Sequence, residues 1–236
     1  MITEKLNDLT LLYYTSHTLW EPCAENVRNF LLLNAPLYEM PLISVSQKRL
    51  SFGHNICVGE IGRSYYNCYK QIYIGAQAVR TKYVACVEDD TLYCPEHFFH
   101  RPTSDDTFAY NANMWFLEEK GYWGKKDDYG MCGCIASTKL LIDTLKPRFD
   151  KFPDPIDPAD RKGQRYWQEP GRCDRKFGIP DAKVELFKTQ IPLLTFNYFK
   201  ALGGKKMSEV EFQTASDLPS WGNGIKLWNK FWTGKI

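Results

Sequence analysis

The sequence predicts an α/β fold in a single domain, with a mostly parallel central sheet flanked by helices. Three observations support this prediction. The chain has 236 residues, of which 44% are hydrophobic and 25% are charged, and this is enough to bury one sizeable core. Three short apolar runs in the first half are typical of strands buried on both faces. Helical stretches separate these runs, and a strand–helix–strand–helix–strand order favours a parallel sheet.

The first half of the chain contains the clearest elements. Residues 9–15 form a continuous apolar run and are predicted to be a strand. Residues 21–33 are predicted to be a helix, since Pro22 is acceptable in a first turn. Residues 41–45 form a second short strand, and a loop with several glycines over 52–62 follows it.

Ser64 is predicted to cap a second helix. Apolar residues then recur at spacings of four, three, four and three, which places them on one helical face: Tyr65, Tyr69, Ile72, Ala76 and Val79. A third buried strand over 83–87 runs directly into three acidic residues. Ligands of open parallel sheets bind beyond the carboxyl ends of the strands. The candidate site residues at these ends are Thr15, Ser16, Ser46, Gln47, Glu88, Asp89 and Asp90.

The second half is less regular, and we find neither an internal repeat nor a linker that would divide the chain. The predicted elements are strands over 107–116, 129–136, 184–187 and 191–196, a helix over 138–145 and a long loop over 150–172. The tail over 221–236 mixes three tryptophans with three lysines.

Composition and charge exclude several classes of protein. A net charge of +2 and a pI near 8.0 give no indication of a nucleic-acid-binding protein. No apolar run approaches the roughly 20 residues of a membrane span, and the N-terminus lacks the pattern of a secretory signal. We therefore expect a cytoplasmic protein, in the host cytoplasm if it is viral. The eight cysteines include no C-x-x-C pair, which predicts reduced, buried thiols rather than a zinc site.

The acidic triplet Glu88-Asp89-Asp90 is the strongest sign of chemistry. Glu88 and Asp90 are two residues apart and face the same way if strand geometry persists. Two oxygen donors on one side suit a hard divalent cation, Mg²⁺ or Mn²⁺. The alternative is a loop of solvated acids before the next helix at Pro95.

The stretch from Gln71 to Asp90, an amphipathic helix leading into Lys82-Tyr-Val-Ala-Cys-Val-Glu-Asp-Asp90, resembles the GT-A glycosyltransferases. The resemblance implies a single Rossmann-like GT-A domain, with a nucleotide-sugar-binding half over about 1–105 and an acceptor-binding half over about 106–236. The triplet then corresponds to the D-x-D motif of the family, with Glu88 in place of its first acid. Asp90 would bind the metal, and Glu88 and Asp89 would reach metal, ribose or sugar.

Two departures from the family pattern concern the nucleotide base and the metal. Many relatives read the uracil ring with an Asp after the second strand, whereas Ser46 and Gln47 stand there in this chain. Either could make equivalent hydrogen bonds. Relatives also often supply a late His as a third metal ligand. The plausible substitutes here are the amide oxygen of Asn197 or water.

Basic and histidine residues add further candidates for the site. Arg63 is a candidate for the phosphate or ribose. Lys200, Lys205 and Lys206 surround Gly203-Gly204, in a loop that resembles the late mobile loop of the family and would close over the diphosphate. The alternative is that these are solvated surface lysines. His97 and His100 are either metal ligands or polar residues at a helix end.

The segment Trp167 to Asp174 is the best location for a catalytic carboxylate. By its position Glu169 resembles the base of inverting relatives, which takes the proton of the acceptor hydroxyl, and Asp174 is the reserve. The alternative for each is a surface ion pair with Arg172 or Arg175. A retaining mechanism would need no such base.

These observations lead to a metal-dependent glycosyltransferase that moves a hexosyl or pentosyl group from a nucleotide sugar, expected to be a UDP-sugar, to a hydroxyl acceptor. The acceptor is either a glycan, with the Trp-rich tail resting on a membrane face, or a hydroxymethylated pyrimidine in viral DNA. In the second case a basic surface would serve DNA: Lys125, Lys126, Arg161, Lys162, Arg165, Arg172, Arg175 and Lys176. The alternatives are a nucleotidyltransferase or phosphoryl-transfer enzyme that uses the same carboxylates, and a non-catalytic binding module.

Overall fold

A computed structural model describes residues 7–35, 40–126, 128–155, 167–198 and 217–234. The strands in chain order are β1 (Leu9–Thr15), β2 (Leu42–Ser46), β3 (His54–Cys57), β4 (Tyr83–Glu88), β5 (Thr91–Leu92), β6 (Thr107–Asn111), β7 (Met114–Leu117), β8 (Trp123–Lys126), β9 (Cys134–Ser137), β10 (Lys183–Phe187), β11 (Leu193–Phe196), β12 (Asp217–Leu218) and β13 (Gly222–Asn223). The α-helices are α1 (Glu21–Asn34), α2 (Tyr65–Ala78), α3 (Thr138–Lys151) and α4 (Gly224–Trp232). Short 3₁₀ helices span Pro95–Phe99, Met131–Gly133 and Asp174–Phe177.

The central sheet has seven strands in the order β10-β6-β9-β4-β1-β2-β3. β1 pairs in parallel with both β2 and β4, and β9 is antiparallel to its neighbours β4 and β6. β9 is thus the one antiparallel strand of a sheet that is otherwise parallel. Its β1 and β4 strands are almost wholly buried, as the apolar runs of the sequence predict. The predicted fold class, a mixed α/β domain with a mostly parallel central sheet flanked by helices, is confirmed.

Helix α2 lies very close to the sheet. Its N-terminus is capped as predicted, because the backbone N–H of Asn67 donates to Ser64 Oγ at 3.0 Å. The approach to the sheet is closest at Gly75, where a Cβ would lie 2.3 Å from Leu12 Cδ1 and 2.7 Å from Val45 Cγ2. This close contact sets the distance between α2 and the carboxyl ends of β1 and β2.

The predicted strand over 107–116 is wrong as one element, because the chain leaves the central sheet within it. β6 belongs to the central sheet, whereas β7 belongs to a second sheet of order β5-β11-β7-β8. The turn between them is held by side chains, since the N–H of Asn113 donates to Asn111 Oδ1 at 2.9 Å and Asn111 Nδ2 donates to Thr189 Oγ1 at 2.9 Å. Since β4 ends at Glu88 and β5 of the second sheet begins at Thr91, the second sheet lies beside the carboxyl end of β4.

Other boundaries differ from the predictions in smaller ways. The glycine-containing loop holds a short edge strand, β3, that the sequence pattern did not indicate. The predicted strand over 129–136 begins with a 3₁₀ turn, and only Cys134–Ser137 is a strand. Helix α3 continues past the predicted end through Pro147 to Lys151. The predicted loop over 150–172 lies partly outside the described residues.

The described part of the tryptophan-rich tail packs against the rest of the fold. Helix α4 packs against α1, and Trp228 and Phe231 are buried in a cluster with residues of the second sheet. Asn26 Nδ2 donates to the carbonyl oxygens of Phe231 and Gly234, both at 2.8 Å, which ties the end of α4 to α1. In the described ranges no helix combines the length and hydrophobicity that crossing a bilayer requires. Six of the eight cysteines are buried, and none is in a disulfide.

Candidate functional site

A cleft of about 340 Å³ opens at the carboxyl ends of β1 and β4. The central sheet supplies its floor, the start of α2 one wall, and the segments 128–132, 167–169 and 195–198 the remainder. This is the place where an open parallel sheet is expected to bind its ligand. The predicted site residues that line it are Thr15, Ser16, Arg63, Glu88, Asp89, Asp90, Glu169 and Asn197.

Glu88 is the last residue of β4 and is held at both its side chain and its backbone. Tyr14 of β1 lies directly opposite in the parallel register, and its hydroxyl donates to Glu88 Oε1 at 2.6 Å. The N–H of Glu88 donates to the hydroxyl of Tyr93 at 3.0 Å. Both tyrosines are buried, so the Glu88 carboxylate reaches the cleft from a firmly held position.

Asp89 lies in the turn after β4 and faces the end of β1. Its Oδ2 accepts a hydrogen bond from the hydroxyl of Thr15, which in turn accepts from the N–H of His17 at 2.9 Å. Burial raises the pKa of Asp89 to about 6, and the hydrogen bond from Thr15 and the charge of Arg28 oppose this rise only in part. The carboxylate therefore lies in a place where negative charge is poorly compensated.

Asp90 connects the central sheet to the second sheet. Its side chain is only 9% exposed, and the hydroxyl of Thr91 donates to its Oδ1 at 3.1 Å. Its carbonyl oxygen accepts from the N–H of Phe196 at 2.8 Å, which brings Asn197 to the same edge of the cleft. Asn197 Nδ2 donates to Glu118 Oε1 at 2.7 Å, and this bond fixes the orientation of the amide.

Glu169 lies on the opposite side of the cleft, next to a firmly held arginine. Arg172 Nε is 3.7 Å from Glu169 Oε2, and its guanidinium also contacts the Asp128 carboxylate through two nitrogens. The guanidinium lies 3.7 Å from the ring centroid of Tyr129. Glu169 is therefore paired with Arg172, as the alternative interpretation proposed, but inside the cleft rather than on the outer surface.

The described lining of the cleft is strongly acidic. It carries five carboxylates and two guanidiniums, namely Glu88, Asp89, Asp90, Asp128 and Glu169 with Arg63 and Arg172. Among residues that the structure describes, no group of three or more His, Cys, Asp or Glu side chains is arranged to hold a metal ion by itself. Mg²⁺ is commonly held by only one or two carboxylates plus substrate phosphates and water. The oxygen donors Glu88 and Asp90 fit that arrangement, and the acidic lining would favour a cation.

The predicted base-reading residues, Ser46 and Gln47, do not reach the cleft. The Ser46 hydroxyl donates to the Lys48 carbonyl at 2.6 Å and accepts from Asn55 Nδ2 at 2.8 Å. Gln47 binds the backbone of Gly62 at both ends of its amide, at 2.7 and 3.1 Å. Their hydrogen bonds thus shape the loop that leads to Arg63, and neither residue is among those that line the cleft.

Asp174, the predicted reserve base, also lies outside the lining of the cleft. It is completely buried and forms an ion pair with the equally buried Arg148, with 2.5 Å between Oδ1 and Nη2. Its other oxygen accepts from the N–H groups of Gly171 and Ala182. Since Arg148 Nη1 donates to the Gln168 carbonyl at 2.7 Å, the pair supports the turn that carries Glu169.

Three further groups of candidates lie either away from the cleft or outside the described residues. His97 is fully buried, and His100 stacks on Phe187 with 3.7 Å between ring centroids, so neither is a metal ligand of this cleft. Lys200, Lys205 and Lys206 lie outside the described residues. The same is true of Arg161, Lys162 and Arg165 of the predicted basic surface.

Sequence reasoning missed two residues that organise the cleft. Tyr14 was seen only as part of an apolar strand, although its position opposite Glu88 follows once β1 and β4 are paired in parallel. Gln71 appears in the sequence analysis only as the start of the stretch that resembles the GT-A enzymes. Its buried amide nitrogen donates to the carbonyls of Thr15 and Val45 at 2.8 and 3.0 Å and ties the ends of β1 and β2 together.

Comparisons with known proteins give likenesses of fold at low identity. No family model matches the sequence, and no curated protein matches it. A nucleotidyl transferase from Methanothermobacter is similar at a TM-score of 0.43 and 12% identity, over 76% of this chain and 87% of that one. A glycosyltransferase involved in the glycosylation of the major capsid of PBCV-1 is similar at 0.43 and 9%, over 85% of this chain and 95% of that one. TarS from S. aureus is similar at 0.44 and 11%, over 80% of this chain but only 36% of its own length. Scores of this size carry no argument about function, which must come from the cleft.

Proposed function

We propose that the protein is a metal-dependent glycosyltransferase that moves a sugar from a nucleotide sugar, expected to be a UDP-sugar, to a neutral hydroxyl acceptor. The observation that carries the proposal is the acidic triplet at the carboxyl end of β4, with Glu169 in the lining of the same cleft. Tyr65, at the start of α2, also lines this cleft, and burial first, and then the charge of Glu169, raise its pKa. The triplet and Glu169 therefore belong to one cleft.

In this proposal the donor diphosphate binds at the floor of the cleft. Glu88 and Asp90, with the amide oxygen of Asn197 or water, would hold Mn²⁺ or Mg²⁺, which supplies positive charge to the leaving diphosphate. Thr15, Ser16 and Arg63 line the same end and are suited to ribose and phosphate. The Asp89 carboxylate accepts a hydrogen bond from Thr15. It would act through that hydrogen bond or by contacting the ribose.

Glu169 is the proposed base. It would accept the proton of the acceptor hydroxyl as that oxygen attacks the anomeric carbon and the bond to the diphosphate breaks. Arg172 is held by Asp128 and by the ring of Tyr129, so it can orient the Glu169 carboxylate from a fixed position in the lining of the cleft. This assignment makes the reaction an inverting one.

The charge of the lining favours a neutral acceptor. A carboxylate excess of three in the described lining repels a polyanion, and one divalent cation would offset only two of these charges. A glycan hydroxyl therefore fits the cleft better than a hydroxymethylated base in DNA. The DNA acceptor becomes one outcome of the test.

The test is incubation with a panel of nucleotide sugars and Mn²⁺, with neutral glycans or hydroxymethylated DNA added. Release of nucleoside diphosphate that EDTA abolishes, and that a neutral glycan accelerates, is the expected result. Asp90→Asn should remove this activity, whereas Asp143→Asn on the exposed face of α3 should not. Glu169→Gln should lower turnover about 10²- to 10⁴-fold, and the exposed Glu25→Gln should leave it unchanged.

Other outcomes separate the remaining possibilities. Release of pyrophosphate in place of nucleoside diphosphate would indicate a nucleotidyltransferase. Stimulation by hydroxymethylated DNA alone would overturn the neutral acceptor while retaining the sugar transfer. Binding of nucleotides without turnover of any donor would contradict the enzyme assignment.

A further inference from the structure

Tyr14 is the buried side chain that controls the orientation of Glu88. The two residues are opposite partners in the parallel pairing of β1 with β4, so their side chains leave the same face of the sheet. The Tyr14 hydroxyl donates to Glu88 Oε1 at 2.6 Å, a short bond of the kind formed between a neutral donor and a charged acceptor.

The surroundings of this hydrogen bond keep it intact. Tyr14 is 5% exposed, and its ring lies in the core cluster that includes Cys86. This burial leaves little room for solvent to compete for the hydrogen bond. Tyr93 fixes the backbone of Glu88 at the same time.

We propose that Tyr14 is a positioning residue that sets the Glu88 carboxylate for the cation bound with the donor diphosphate. The inference rests on the proposed function, because it assumes that Glu88 is a cation ligand. Partners that hydrogen-bond a metal ligand fix its orientation, and removal of such a partner typically weakens metal binding about 10- to 100-fold. Tyr14 itself lines the cleft, and in this proposal it acts on cation affinity through the Glu88 carboxylate rather than as a cation ligand.

The experiment measures Mn²⁺ binding by electron paramagnetic resonance, in the presence of saturating UDP, for the wild-type protein and for Tyr14→Phe. The phenylalanine keeps the ring in the core and removes only the hydroxyl. We expect about a 10- to 100-fold rise in the Mn²⁺ dissociation constant. Tyr66→Phe is the matched control, since the buried Tyr66 hydroxyl donates at 2.7 Å to the Pro153 carbonyl and Tyr66 does not line the cleft.

A double-mutant cycle with Glu88→Ala gives the second measurement. Without the carboxylate the Tyr14 hydroxyl has nothing to position, so Tyr14→Phe should cause no additional loss of Mn²⁺ affinity in that background. Circular dichroism melts establish that each variant is folded during the measurement.

The outcomes distinguish this inference from the proposed function. A wild-type protein that binds no Mn²⁺ with UDP would refute the metal-dependent function and this inference together. Wild-type binding with equal affinity in Tyr14→Phe, or additive losses in the cycle, would overturn the role of Tyr14 alone. Failure of Tyr14→Phe to fold would also overturn it, because the hydroxyl would then be a requirement of the core.

Discussion

The substitution Asp174→Asn should unfold the protein more easily rather than slow its chemistry. Asp174 accepts three hydrogen bonds with no exposure to solvent, from Arg148 Nη2 at 2.5 Å and from the N–H groups of Gly171 at 2.6 Å and Ala182 at 3.0 Å. An asparagine has only one side-chain oxygen, so its NH₂ group would face one of these three donors. The Arg148 charge would also be left buried without its counter-ion.

The expected magnitude follows from that loss. Removal of one partner of a buried ion pair costs about 3–5 kcal/mol, a large share of the roughly 5–15 kcal/mol that stabilises a domain. For a chain of this size that corresponds to a fall in melting temperature of about 6–20 °C. Arg148 cannot find relief elsewhere, because its guanidinium is enclosed between the rings of Tyr69 and Phe177.

The assay is urea unfolding followed by tryptophan fluorescence, because Trp167 packs against Phe177 close to the pair. Asp143→Asn, which breaks an exposed pair with Lys139, is the control and should leave the midpoint unchanged. A variant Asp174→Asn as stable as the wild type, yet without turnover, would refute this reasoning. It would mean that Asp174 reaches the substrate, as the sequence first suggested.

Three further predictions concern packing, docking and pH. Gly75→Ala should destabilise the protein by about 1–3 kcal/mol in thermal melts, since its methyl group would overlap Leu12 in a closed core; an increase in stability would contradict the close approach of α2. Asn26→Ala should remove about 1–3 kcal/mol and speed amide exchange in α4 first, because two carbonyls of the helix end lose their donor; unchanged exchange there would count against the docking. Burial lowers the pKa of His97 to about 3, so the unfolded chain binds a proton that the folded one refuses, and stability falls as pH drops below about 6.5. The loss from this group between pH 7 and 4.5 is about 2.5 kcal/mol, and His97→Phe should reduce the total loss of stability over this pH range by that amount.

The first half of the fold could be predicted from the sequence because its signals are local. β1, α1, β2, α2 and β4 each follow from apolar periodicity and capping over a few residues. The split of 107–116 could not be predicted in this way. The two strands differ in the sheet that they join, and a hydrogen bond to Thr189, far along the chain, holds the turn between them.

The same distinction separates the predicted site residues that line the cleft from those that lie outside it. The triplet could be placed at the mouth of the cleft because a strand end is visible in the sequence. The position of Gln47 could not be predicted, because its hydrogen-bond partner is a backbone group 15 residues away. That group lies in a loop whose shape the sequence pattern does not indicate. The burial of Asp174 could not be predicted, because its partner Arg148 lies 26 residues earlier, on another helix. Only the folded chain shows that the two form a buried ion pair.

The position of the triplet between two sheets explains how Asn197, from the second half of the chain, reaches a motif in the first half. β4 ends at Glu88 in the central sheet, and β5 begins at Thr91 in the second sheet, so the three acids span the change from one sheet to the other. β11 joins β5 there, through the N–H of Phe196 to the Asp90 carbonyl and a contact of 3.1 Å between the hydroxyls of Thr91 and Thr195. Backbone bonds of this kind depend little on the side chains involved. The placement of Asn197 at the same edge of the cleft as Asp90 is therefore a property of the strand pairing.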